Sequence, residues 1–362
     1  MASSDQPGAA LKGRGATSNQ VERFSAWSRE PDEAIGLANA AHEHVVQFKT
    51  HVTDEIARRI ISRNNSPDVP FDRSINPYRG CEHGCIYCFA RPTHAYLGLS
   101  PGLDFETELY AKRNAAELLR VELSKPNYRP AILALGANTD PYQPIERGLA
   151  ITRSILEVLD EFNHPVGITT KSALVVRDLD ILSRMAGKGL VRVFLSVGTL
   201  DADLARLLEP RANTPARRLE AVRRLAEAGV PAGVIVAPIV PALNDYDIER
   251  VLEASARAGA EGAGYVMLRL PLEVRDLFVE WLHAHFPSRA AHVMSLIEQV
   301  REGRHNDANF GTRMRGTGEY AELVRRRFAL ACRRHGLNLT RRPLDTTQFR
   351  QPGAHGPQLD LF

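Results

Sequence analysis

Residues 191–238 read VRVFLSVGTLDADLARLLEPRANTPARRLEAVRRLAEAGVPAGVIVAP, and this stretch sets the fold class. Val191 to Val197 is a short apolar run rich in branched residues, the pattern of a strand buried on both faces. Thr214 before Pro215 reads as an N-cap followed by proline at the first helical position, and Gly229 stops the helix. Val234 to Ala237 then opens another strand. A strand, an amphipathic helix and a second strand form the repeating unit of a parallel sheet.

The same rhythm recurs on both sides of this stretch. Upstream, Ser74 to Tyr78, Ala131 to Leu135 and Val166 to Thr170 read as strands. Helices are expected from about Thr107 to Leu123, along the stripe Ile151, Ile155, Leu159 and Phe162, and from an Asp178 cap toward Met185. Downstream, a helix from about Asp245 to Gly259 leads to a sixth strand, Gly264 to Leu268. Six βα units between residues 72 and 272 predict an α/β fold. A doubly wound sheet is one solution; the even repetition favours a partial (βα)6 TIM-like barrel. In either, chemistry sits on the loops after the C-terminal ends of the strands. Residues 1–20, rich in Gly, Ala and Ser, are expected to be mobile, and 21–71 form an N-terminal extension with helical pieces. Residues 273–340 form an Arg-rich helical extension, with helices at Val274 to His285, Ala290 to Val300 and Tyr320 to His335. Residues 341–362 form a flexible tail.

The chain has 362 residues and 4 cysteines, and three of these, Cys81, Cys85 and Cys88, fall within eight positions. So close a spacing builds no disulfide framework and points to metal or cluster ligation. Gly80 and Gly84 let the three sulfurs converge. A closed zinc or electron-transfer site needs four ligands, so this loop either recruits another residue, with His83 and His94 nearest, or leaves one metal position open. Cys332 lies on the apolar stripe Tyr320, Val324, Phe328 and Ala331 and reads as a core residue.

The loop Cys81-Glu-His-Gly-Cys85-Ile-Tyr87-Cys88 resembles the C-x3-C-x-aromatic-C loop of the radical S-adenosylmethionine superfamily. Within it, NPYRGCEHGCIYCFARPTHAY (76–96), NTDPYQPIE (138–146), LEPRANTPARRLEAVRRLAEAG (208–229), VAPIVPALND (236–245) and YVMLRLPLEVRDLF (265–278) look like the spore photoproduct lyase-like, DNA repair photolyase branch. The resemblance implies a 4Fe-4S cluster on Cys81, Cys85 and Cys88, whose fourth iron chelates S-adenosylmethionine. It implies reductive cleavage to methionine and a 5′-deoxyadenosyl radical that abstracts hydrogen from substrate. A flavodoxin or ferredoxin would supply the electron.

The same resemblance places Tyr87 beside the cluster and adenine, with core packing as its alternative. It sets Gly136 and Asn138, in Gly136-Ala-Asn-Thr-Asp140, near the methionyl amino group; the alternative is a capped turn. Lys171 and Ser196 match positions that hold the cofactor's carboxylate and ribose, or are a surface lysine and a turn serine. Glu209, Arg211 and Arg217 offer a ribose acceptor and a carboxylate clamp, or solvated charges. Asn244 and Asp245 read as a helix cap, and Arg269, at the end of strand six, as a substrate contact. In spore photoproduct lyase a cysteine after strand two returns hydrogen to the product; the matching position here is Asn138, so the resemblance reaches the radical chemistry and not the substrate. No catalytic residue is assigned.

Charge is uneven. Between Arg301 and Arg350 stand 12 Arg, no Lys and 5 acids, against a net charge of +3 for the whole chain. This end suits a polyanion such as nucleic acid, or is a solvated helix face. A non-catalytic iron–sulfur or zinc protein with a basic nucleic-acid-binding face is the competing reading. No apolar run is long enough for a membrane span, and MASSDQPGAALKGRG holds none for a signal peptide, so a soluble cytoplasmic protein is expected.

Overall fold

The computed structural model describes residues 11–24, 49–340 and 343–352. Its strands are β1 (His51–Glu55), β2 (Ile61–Arg63), β3 (Arg73–Ile75), β4 (Tyr78–Arg79), β5 (Glu108–Lys112), β6 (Leu133–Leu135), β7 (Val166–Thr170), β8 (Val191–Ser196), β9 (Ala232–Ile239) and β10 (Gly262–Met267). Seven of these form one sheet in the order β10-β9-β8-β7-β6-β3-β2, parallel throughout except for the antiparallel edge strand β2. The strands follow one another in chain order, with none of the order reversal of a doubly wound sheet. All six sequence-expected strands are present. The first is cut short at Asn76-Pro77, where proline removes a ladder donor.

One sheet face carries Val166, Ile168, Val191, Val193, Leu195, Val234 and Val236, all buried against crossover helices Ile151–Glu161, Leu179–Gly187, Pro215–Glu227 and Ile248–Arg257. Each fully buried side chain of this kind contributes about 1.5–3 kcal/mol, so this layer is the main source of stability. The other face, through residues such as Thr169, Ile235 and Ala237, lines a cavity. Thr214 caps its helix as the sequence predicts, its hydroxyl accepting from the Arg217 amide. Asp178 does not cap; its carboxylate accepts from Tyr142, Arg153 and Arg177.

The expected Thr107 to Leu123 helix is a strand followed by a helix. Leu109 and Ala111 point inward on β5, which pairs with β1 in parallel and β4 in antiparallel fashion in a second, three-stranded sheet, and the helix is confined to Ala115–Leu123. In the N-terminal extension residues 49–71 form β1 and β2 where helical pieces were expected, and 25–48 lie outside the described residues. Of the segment expected to be mobile, 1–10 lie outside the described residues, whereas 11–20 pack down: Ala16 is fully buried, and Ser18 and Gln20 donate to Glu280. In the tail, Phe349 packs against Tyr128 and Phe162, while 341–342 and 353–362 are likewise outside the described residues. The helices Val274–His285, Ala290–Gln299 and Gly318–Arg334 match expectation, and Cys332 is buried in the core. Among the described residues no helix is long and apolar enough to cross a membrane.

Candidate active site

The loops that follow the strands meet around a cavity of about 720 Å³. Cys81, Cys85 and Cys88 line it together with Tyr87, Gly136, Asn138, Lys171, Ser196 and Arg269. The cysteine loop owes its shape to the protein itself. Cys81 N donates to Phe105 O at 2.9 Å and Ile86 N to Leu208 O at 3.1 Å. Beneath it, Arg91 is fully buried, and its guanidinium donates to Cys85 O (2.9 Å), Pro101 O (3.0 Å), Gly102 O (2.8 Å) and Gly84 O (3.2 Å) while ion-pairing with Glu106. Glu106 in turn accepts from the amides of Gly15 (3.0 Å) and Ala16 (2.9 Å). Sequence reading missed both residues, because Arg91 opens a short turn with no helical periodicity to mark which side chains face inward.

None of the three thiols is in a disulfide. Burial pushes the Cys85 thiol up to about 12 and the Cys81 thiol well above its ordinary value, so these two keep their protons at neutral pH until a metal displaces them. Among the described residues no three His, Cys, Asp or Glu side chains converge to hold a single metal ion. All three thiols open on one cavity, and thiolates are the ligands that iron–sulfur clusters take. The histidines do not complete a zinc site. His94 Nε2 lies 2.9 Å from Glu108 O and its ring packs edge-on against Phe105, and His83 Nδ1 lies 3.3 Å from Asp140 Oδ2.

Five of the seven sequence-nominated cofactor residues line the cavity and two do not. Tyr87 donates its hydroxyl to Glu209, which is ion-paired with the buried Arg218; Glu209 thus stands behind the tyrosine and outside the cavity lining. Burial opposes its charge, but Arg218 and Lys171, with the Tyr87 hydrogen bond, hold its carboxyl below the usual range. Arg211 is likewise outside the lining, ion-paired with Glu82 at 3.1 Å. Arg217 is exposed, and its neighbour Arg218 takes the inward place. Lys171 Nζ sits 5.8 Å from the Tyr87 ring centre, and Ser196 Oγ donates to Ala237 O at 3.1 Å. Burial disfavours the Lys171 ammonium, but its acidic neighbours, the Glu209 and Asp140 carboxylates among them, outweigh it and raise its pKa.

Asp140, unassigned by the sequence, organises the loop after β6. It accepts from Thr170 Oγ1 (2.6 Å), Lys171 N (2.7 Å) and Tyr142 N (2.9 Å). Asn138 is fixed by its amide, which donates to Asn76 Oδ1 at 3.0 Å. Asn244 does not cap a helix: its side chain accepts from Val240 N (2.7 Å) and donates to Gly198 O and Pro238 O, both at 2.9 Å, stapling two loops. The carboxylate of Asp245 accepts from the Tyr320 hydroxyl.

Gly136 has φ +88°, and a Cβ there would fall 2.1 Å from the Thr169 carbonyl oxygen. Gly136→Ala is therefore expected to destabilise the fold by on the order of 2 kcal/mol, through left-handed backbone and a backbone clash, read as a lowered urea midpoint.

Part of the Arg-rich end is spent on internal contacts. Arg301 is buried and donates to the carbonyls of Leu268 and Arg313, Arg313 pairs with Asp68, Arg325 and Arg326 share Glu322, and Arg327 pairs with Glu249. Arg325 and Arg326 nonetheless stay exposed on one shared carboxylate, and Arg341 and Arg342 lie outside the described residues.

Residues 75–254 match the family model described as the radical SAM superfamily. An uncharacterized protein of Mycobacterium tuberculosis is 40% identical over 225 residues, which is 62% of this chain and 66% of the relative, so the match spans just under two thirds of the relative's own length. An uncharacterized protein of Methanocaldococcus jannaschii is 28% identical over 173 residues, 48% of this chain and 62% of the relative. Among solved structures, spore photoproduct lyase complexed with dinucleoside spore photoproduct superposes with a TM-score of 0.57 at 17% identity, covering 79% of this chain and 80% of that one, a likeness of fold. The cysteine loop and strands β6 to β9 of the parallel sheet fall within the matched segment, 180 of the chain's 362 residues, and over that segment the chain is similar to the radical SAM superfamily.

Proposed function

We propose that this chain is a radical S-adenosylmethionine enzyme whose residues 72–272 act as a partial (βα)6 barrel, with Cys81, Cys85 and Cys88 holding a 4Fe-4S cluster and the cavity above them taking the cofactor and a substrate. The observation that carries the reading is that all three thiols open on the same cavity as Lys171, Ser196 and Asn138. The cluster, when bound, supplies the electron that cleaves S-adenosylmethionine to methionine and a hydrogen-abstracting 5′-deoxyadenosyl radical. The chain's own part is placement. Tyr87, locked by Glu209 and Arg218, gives a flat wall; Lys171 gives a charge for a carboxylate; Ser196 gives a hydroxyl; and the bare backbone at Gly136 permits close approach.

A one-electron donor of the flavodoxin or ferredoxin type would serve the cluster. The solved lyase of this fold makes a nucleic-acid lesion the first substrate class to assay. Asn138 rather than cysteine follows β6, and among the described residues no thiol but the three loop cysteines lines the cavity, so a lyase-type reaction here would return hydrogen by another group.

Anaerobic purification followed by iron and sulfide analysis, then addition of dithionite and S-adenosylmethionine, tests the proposal. The expected result is release of 5′-deoxyadenosine even without substrate. A cluster-loaded chain that never yields it refutes the reading.

A further inference from the structure

At the outer end of the cavity, the 64–71 loop and the 306–316 segment are clasped across its mouth, Gly311 N donating to Asp68 Oδ1 at 2.7 Å and Arg313 pairing with Asp68. Arg269, at the end of β10, projects between them. Its Nε is buried without a hydrogen-bond partner, its Nη1 reaches only Met314 Sδ at 3.7 Å, and among the described residues it makes no ion pair within 4.0 Å. The two nearest carboxylates are already engaged: Asp68 by Arg313 and Gly311, and Asp307 by Thr312 and the Asn309 amide. The guanidinium lies 5.8 Å from the ring centre of Phe89, which is 48% exposed, and Phe310, 52% exposed, lies under Arg313 at 4.6 Å on the same cavity.

Burial and the neighbouring charge of Arg313 both oppose the charged guanidinium and lower its pKa. A half-buried guanidinium with its fork unused is costly to fold, and a planar oxyanion is the ligand that satisfies that fork in two parallel bonds. The half-exposed Phe89 and Phe310, each with one side under a guanidinium, leave apolar ring surface on the same cavity that suits a flat ring.

We propose that Arg269 anchors an oxyanion of the substrate, a phosphate or a carboxylate, carried on a flat ring that packs against Phe89 and Phe310. The proposal rests on the cavity being the substrate chamber, and its test needs neither S-adenosylmethionine nor reductant, so the two can fail separately. The full chain, purified anaerobically, is titrated by calorimetry with phenyl phosphate, benzoate and benzyl alcohol. Phenyl phosphate or benzoate should bind, the tighter one identifying phosphate or carboxylate as the anion, and benzyl alcohol should bind at least tenfold more weakly; the loss of one charged hydrogen-bonded contact is worth about that factor. Arg269→Gln should weaken the anionic probe about tenfold, and Phe310→Ala should weaken it less. If Arg269→Gln does not fold, protection of Arg269 from phenylglyoxal by the bound probe, mapped by mass spectrometry on the unaltered chain, reads the same contact. Absence of binding by both anions, an unchanged affinity in Arg269→Gln, or absence of protection overturns the proposal.

Discussion

Cys85→Ala is expected to purify without iron, against roughly four iron atoms per loaded chain. Cys85 sits between the other two ligands in sequence, and with Cys81 and Cys88 it lines the cavity. On the proposed ligation, removing one of three thiolates would leave the cluster two protein anchors. The fold itself should survive, because the loop is held by Arg91, by the Cys81 and Ile86 amides and by buried Ile86 rather than by sulfur. Deleting one buried sulfur costs about 1 kcal/mol, which leaves the thermal midpoint within a few degrees of the parent. Cys332→Ala, in the helical core, should retain all of the iron. Full iron in Cys85→Ala would contradict the ligand assignment.

Arg91→Met should produce the largest loss of stability. Arg91 and Glu106 are both fully buried, and all of the guanidinium's donors are used on four carbonyls and one carboxylate. Methionine fills most of the volume but strands the Glu106 charge, and breaking a buried pair on one side costs about 3–5 kcal/mol. For a chain of this size that lowers the thermal midpoint by on the order of 10 °C. Two of the abandoned carbonyls, Gly84 O and Cys85 O, belong to the cysteine loop, so iron content should fall as well. A midpoint within 2 °C of the parent, on the order of 1 kcal/mol, would show that the pair does not hold the loop. Glu106→Gln, which keeps the shape and removes the charge, should cost less.

The parallel sheet was legible because its strands from β6 to β10 are each followed by a helix, and helix ends carry their own chemistry, as at Thr214-Pro215 and Gly229. The strand β5 was not, because Leu109 and Ala111 alternate within residues that favour helix, and the partner that settles the matter, β1, lies more than fifty positions upstream. The cysteine loop and the cavity-lining Tyr87, Lys171 and Ser196 were legible as a pattern shared with a family. The arginine behind them was not, although one clue existed: Arg218 is in phase with Ala221, Val222 and Leu225 on the buried face of its helix, and Arg217 is out of phase. Counting Arg and Glu along the C-terminal third likewise gives charge but not pairing, and the pairing decides how much of that charge is available.

The packing of residues 14–20 has a consequence for synthesis. The amides of Gly15 and Ala16 close on Glu106, and Ser18 and Gln20 reach Glu280, 262 and 260 positions downstream. A chain emerging from the ribosome can pair β3, β6, β7, β8 and β9 one after another, each with the strand already made. Its earliest residues must wait for nearly four fifths of the chain before they find Glu280. Gly15 and Ala16 can close on Glu106 beside the cysteine loop early, while Ser18 and Gln20 stay unanchored until Glu280 is made, so this segment is secured in two steps separated by most of the chain.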